Sequence, residues 1–184
     1  MENRLERSLE LLKRYQVEEN VLKLAEDLNK LSDRQDKLKE EFEKSEKDNI
    51  LKKQENIGNE FKELEQFYKN AIEKNNDLKT PYKIDQYQEE FQNIQRSMQN
   101  LEKDIPKGNK KRIKDQQNDI SKDIQKMAES MKNMFNEMEM QTLEMNMDDL
   151  RQIIDNVVIF SHSQEEVYTN TNRNLQTSPS FPSI

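Results

Sequence analysis

Seven of the nine methionines fall between residues 125 and 147 (QKMAESMKNMFNEMEMQTLEMNM). Thioether sulfur is a soft ligand, and several on one helix face could hold Cu(I). The same residues have two other uses. Met is unbranched and fills irregular gaps in a core, and Met-rich surfaces re-pack around varied partners. Spacing separates these uses. Met127, Met131, Met134 and Met138 recur at intervals of four, three and four, the rhythm of a packed helix seam, whereas Met140, Met145 and Met147 leave that stripe. The chain has no cysteine, and its single histidine, His162, lies beyond the cluster. The reading is therefore a core seam with a docking role at its C-terminal end, and a soft-metal or small-ligand site is the alternative.

Other chemistry is sparse. The sequence carries no GxxxxGK[ST], GxGxxG, HExxH or GxSxG motif, and two glycines cannot build a phosphate-cradling loop. A di-iron bundle needs two Glu-x-x-His pairs, which one histidine rules out. The abundant carboxylates read as a solvated helix surface. Lys107, Lys110, Lys111, Arg112 and Lys114 form one basic cluster. It could meet phosphates, but no aromatics interleave for base stacking, so it reads as a charged turn and no nucleic-acid partner is expected. No catalytic residue and no cofactor is expected.

The elements that must position these residues are helices. Charged residues make up 36% of the 184 and hydrophobic ones 32%, too few for a thick layered core. Gly occurs twice and Pro four times, so long uninterrupted helices are favoured, and scarce β-branched residues argue against sheet. Acidic and basic residues alternate to a net charge of −7, a salted surface rather than a polycation. No stretch approaches the roughly 18 apolar residues of a membrane span.

Apolar residues recur at spacings of three and four in four runs: Val17 to Phe42, Leu51 to Ala71, Ile84 to Ile105 and Ile113 to Met138. That two-in-seven pattern predicts coiled-coil-type packing. Leu5, Leu9 and Leu12 join the first run after a phase slip near Gln16. Breaks fall at 44–49, at 76–83 with Pro81, and at 105–109 with Pro106 and Gly108. Short connections imply antiparallel neighbours. Folding the first break pairs Gln35 with Gln54, Leu28 with Phe61 and Val21 with Tyr68. The two seam amides then satisfy each other, since a lone buried amide costs about 1–3 kcal/mol. Folding the break at 105–109 pairs Met98 with Gln117 and Phe91 with Ile124.

Residues 147–160 (MDDLRQIIDNVVIF) differ. Asp148 and Asp149 suit a helix start, and Leu150, Ile153, Ile154, Val157 and Val158 form a stripe wide enough for more than one neighbour. Ser163 and Glu166 have the spacing of a capping box for a short further helix. The run 147–167 resembles a signature of a large uncharacterised family of Bacteroidetes envelope proteins. The matching positions are Met147, Leu150, Arg151, Gln152, Ile153, Ile154, Asn156, Val157, Val158, Ser161, Gln164, Glu165 and Val167. The stretch LAEDLNKLSDRQDKL (24–38) and the Met-rich run look similar to that family as well. The family places an N-terminal pair of membrane helices and β-rich segments before a long helical region rich in Glu, Lys, Gln and Met. The resemblance thus implies the helical region of a larger, inner-membrane-anchored envelope protein, linked to the membrane only through segments outside this chain.

Together these readings predict an all-α protein of elongated antiparallel hairpins. The first hairpin is expected over 1–77, with its turn near 44–49, and the second over 84–145, with its turn near 105–109. A C-terminal docking helix and a short capped helix are expected over 147–167, and a flexible tail over 168–184. The expected function is a non-enzymatic scaffold or docking segment that binds other protein helices or itself. The candidate docking residues are Met138, Met140, Met145, Met147, Leu150, Ile153, Ile154, Val157 and Val158.

Overall fold

The computed structural model of the protein describes residues 2–42 and 45–177. The fold is all-α. Four helices follow one another: α1 (Glu2–Glu41), α2 (Lys47–Asn76), α3 (Gln88–Asp104) and α4 (Lys110–Thr177). The helix ends fall where the local chemistry demands them. Pro106 cannot continue α3, and Gly108 adopts a left-handed φ of 76°, the only positive φ among the described residues. Asn109 then opens α4: its carboxamide oxygen accepts the Arg112 N–H at 3.2 Å, as an N-cap side chain does.

The chain divides into two compact units, residues 1–139 and 140–184. In the first unit, one core cluster draws on all four helices, from Val17 to Met138. α1 and α2 pair antiparallel in the register the seam predicts. Gln35 and Gln54 are fully buried and exchange two hydrogen bonds, at 2.9 and 3.0 Å. α2 and α3 meet through aromatic rings. Phe61 lies 5.4 Å from Phe91, and Phe91 stacks 5.2 Å from Tyr68. Such ring pairs add about 0.5–1.5 kcal/mol each beyond the area they bury. α4 closes the bundle against α1, where Ser32 donates to the Ser121 carbonyl at 2.9 Å and the two hydroxyls lie 3.1 Å apart.

These contacts correct the expected domain organisation. The stretches 1–77 and 84–145 are not separate hairpin bodies, because their apolar seams merge into one four-helix core that ends near Glu139. The expected break at 145–147 also fails to form, since α4 runs through it to Thr177. No Gly or Pro lies between Gly108 and Pro179 to stop the helix. Nor does Ser163 cap a new helix: its hydroxyl donates to the Ile159 carbonyl one turn back, at 2.9 Å. Thr169 and Thr171 bond Glu165 and Val167 in the same way. The tail expected from 168 is therefore helical through Thr177, and its remainder, 178–184, lies outside the described residues.

The connection 77–87 is pinned rather than loose. The Asn75 side chain donates to the Tyr82 carbonyl at 3.0 Å and accepts the Tyr82 N–H at 2.9 Å. Tyr82 and Leu78 enter the core. The Arg14 guanidinium covers the Tyr82 ring at 4.8 Å and donates to the Thr80 carbonyl. Tyr68 donates its phenol to the Asp85 carbonyl at 2.8 Å and accepts the Tyr87 N–H at 3.2 Å. Burial pushes the Tyr68 phenol above its ordinary pKa, so it stays a donor across neutral pH. Ile84 and Tyr87, which carry the helical spacing of the third run, sit in this connection, and helix begins only at Gln88.

Candidate docking face

The second unit carries residues 140–177 of α4. Its apolar residues keep helical phase. Met140, Leu143, Met147, Leu150, Ile154 and Val157 recur at alternating steps of three and four, and Ser161, Gln164 and Tyr168 extend the same rhythm. These are the a and d positions of a heptad. Ile153, Phe160 and Val167 add a third column one residue before an a position. The flanking columns Asp148, Asp155 and His162, with Asp149, Asn156 and Ser163, are polar throughout. A helix with this division has one side suited to water and one suited to a core.

Here the apolar side is bare. Leu150 is 58% exposed, Ile154 60% and Val157 61%, against 0% for Phe61 in the four-helix core. Met140, Met145, Met147, Ile153 and Val158 are exposed as well, so the structure brings these predicted docking residues onto one helix. Met138 is a correction. It is fully buried and completes the Met127, Met131, Met134 stripe of the first unit, so it cannot dock a partner. The face also extends further than expected. Leu143, Phe160, Val167 and Tyr168 are exposed apolar residues on this side of the helix, whereas the exposed Ile159 falls among Asp155, Asn156 and Ser163 on the other side. The seven-residue step from Ile153 to Phe160 to Val167 signals this in the sequence, but an assumed helix break near Ser163 hides it.

The electrostatics of this helix are acidic and open. Arg151 pairs with Asp148 at 2.8 Å, and both side chains are largely exposed. Such a surface pair contributes about 0–1 kcal/mol. Two residues of the basic cluster near 107–114 pair with one carboxylate instead. Lys107 and Arg112 reach Asp104 at 2.7 and 2.9 Å, and Gln116 donates to it at 3.1 Å. The Lys107 and Gln116 hydrogen bonds, with the Arg112 charge nearby, hold the Asp104 carboxyl below the usual carboxylate range. This is the chemistry of a structured turn.

Other concave sites are modest. A cavity of about 530 Å³ lies between the end of α2 and the 77–87 connection, with Tyr68, Ile72, Asn75, Tyr82 and Gln88 among its walls. The hydrogen-bonding capacity of Asn75 and Tyr68 is already engaged in holding the connection. Met127, Met131, Met134 and Met138 belong to the apolar core. Among the described residues no group of three or more His, Asp or Glu side chains could hold a metal ion. No described helix is long and apolar enough to cross a membrane.

No protein-family model matches the chain, and neither curated proteins nor solved structures give a match.

Proposed function

We propose that the protein is a non-enzymatic helical scaffold that docks another protein helix on the face of α4 between Met140 and Tyr168. The observation that carries this reading is the run of exposed apolar residues from Met140 to Tyr168, which keeps one helical phase and is broken in its seam only by Ser161 and Gln164. Contiguous apolar surface rimmed by polar residues marks an interaction site, whereas singly scattered exposed apolar residues do not. The resemblance of 147–167 to Bacteroidetes envelope proteins supports placement in the cell envelope, as one region of a larger membrane-anchored protein.

Replacing Val157 of the full chain with a photoreactive residue in cells that make the protein tests the reading. Crosslinks to protein are expected at Val157 and not at Asn156 on the polar side. Labelling of lipid alone, or equal labelling at both positions, sinks it.

A further inference from the structure

We infer that the occupant of the α4 face is a second copy of the same segment, paired parallel and in register. The inference rests on the docking reading above and adds the partner, its direction and its alignment.

Two polar residues lie inside the stripe. Ser161 and Gln164 occupy seam positions between Val157 and Tyr168. A seam amide that meets an apolar residue is left unpaired, and that penalty selects register. The first unit shows how this chain handles such residues. There Gln35 faces Gln54 with two hydrogen bonds and Ser32 faces Ser121, like with like, whereas the fully buried Gln117 carboxamide has no hydrogen-bond partner. For Ser161 and Gln164 the like-with-like arrangement arises when each meets its own counterpart, which requires a parallel pair without stagger.

Antiparallel pairing fails on the same residues. The alignment that sets Ile154 against Val157 puts Gln164 opposite Met147 and Ser161 opposite Leu150. It also brings Glu144 beside Glu165. The parallel alignment removes these conflicts. Each position before an a site then faces the position after a d site one heptad on, so Ile153 lies against Val158 of the second copy and Arg151 against Asn146. Between 146 and 168 no like charges meet across the seam, and the one like pair the same rule sets together, Glu139 with Glu144, lies at its start. The neighbouring Ile154 and Leu150, at a and d, are the combination that favours two strands.

The charge pattern also disfavours a lipid surface. Interfacial helices carry Lys and Arg on the polar side. Here that side presents Asp148, Asp149, Asp155 and Glu166, with Arg151 already paired to Asp148.

Because the chain has no cysteine, one substitution supplies a sole thiol. The purified full chain is expected to sediment at twice its mass, and Leu150→Glu with Val157→Glu to return it to the chain mass with the four-helix unit still folded. Oxidised Val157→Cys is expected to form a symmetric disulfide dimer, and Asn156→Cys to remain monomeric. Gln164→Glu and Gln164→Lys should each weaken the dimer alone and restore it when mixed. A monomer at every concentration overturns the inference, as does a dimer that survives the double Glu variant. So does an Ile154→Cys and Val157→Cys mixture that crosslinks preferentially to each other. If the pure chain is monomeric while Val157 crosslinks to another protein in cells, self-pairing falls and the docking reading stands. If Val157 labels only lipid, both fall.

Discussion

Ile124 and Ile154 stand on the same helix, in the same kind of seam, yet one is fully enclosed and the other 60% exposed. The residues around them are alike in type and spacing. The difference is supply: Ile124 has α1, α2 and α3 in its unit, and among the described residues Ile154 has no other helix in its own unit to pack on. Forming a helix and burying its face are therefore separate achievements. The first needs no breaker, a condition met from Lys110 to Thr177, where neither Gly nor Pro occurs. The second needs partners. Isolated helical segments are marginal in water, and tertiary packing supplies most of their stability. A stripe that keeps phase from Met140 to Tyr168 without cover is thus poised to gain from a partner in a way the enclosed seam around Ile124 is not.

The largest expected effect breaks this contrast most directly. Phe61→Ala empties a fully buried site between α2 and α3 and should cost about 3–5 kcal/mol, read from urea unfolding. Phe160→Ala, 62% exposed, should change the stability of the monomeric chain by less than about 0.5 kcal/mol. Similar losses at both positions would mean that the α4 face is covered within a single chain.

Next in size is the glutamine pair. Gln35→Ala leaves the Gln54 amide buried without its partner, for a loss of about 1–3 kcal/mol. Replacing both residues by Leu should cost much less than the two single changes together, because no orphaned group remains. A double-mutant cycle measures the difference. Additive losses would show that the amides do not depend on one another, and would weaken the like-with-like rule invoked for Gln164.

Asp104 gives a pH-dependent contrast. Its carboxyl is held below the ordinary aspartate value of 3.8 by Lys107 and Gln116. A carboxylate whose pKa is depressed on folding stabilises the fold fully above its unfolded pKa, and that contribution disappears as pH falls through the folded value. Asp104→Asn should thus be less stable than the parent at neutral pH, and the two should converge in acid, below the ordinary aspartate value. Acid titration followed by helical circular dichroism checks this. A constant gap down to the acid limit would assign the effect to packing at the α3–α4 turn instead.

Much of the fold is legible in the residues themselves. Stripes of three and four predict the seams, Pro106 and Gly108 predict the turn, and Gln35 predicts Gln54, because each rests on a local rule with a large energetic consequence. The union of two hairpins into one core is not legible. The residues that decide it, such as Ser32 and Ser121, look like ordinary helix-surface positions until the third dimension brings them together. The pinned connection escapes in part for the same reason: Arg14 reaches Thr80 and Tyr82 across a long sequence separation, and the Asn75–Tyr82 bonds, only seven residues apart, follow no helical spacing. On the docking face, Leu150 to Val158 are readable from their unusual width. Phe160 to Tyr168 are hidden by serine and threonine, which suggest caps in sequence but bond back to their own helix in the structure.

The smallest expected effect concerns Gly58, the one glycine within a helix, in the region that is packed rather than the region that is bare. Glycine weakens a helix interior by roughly 0.5–1 kcal/mol relative to alanine. Its presence at a buried α2 position therefore reflects space. A Cβ built there lies 2.9 Å from a carboxylate oxygen of Glu102 on α3. That oxygen is the far end of a flexible side chain, and burial, then the nearby Glu55 charge, pushes the Glu102 carboxyl above its ordinary pKa. Its present position is thus unfavourable for the charged form, and displacement towards water relieves part of that strain. Gly58→Ala should raise stability by less than about 1 kcal/mol, visible as a small rise in Tm. Gly58→Val should lose this gain, since a branched side chain cannot be accommodated by moving one carboxylate. A marked drop in Tm for the alanine variant would mean that α2 and α3 are locked at a fixed spacing. The packed region would then tolerate no more than the contacts it already has, while the bare face of α4 stays open to new ones.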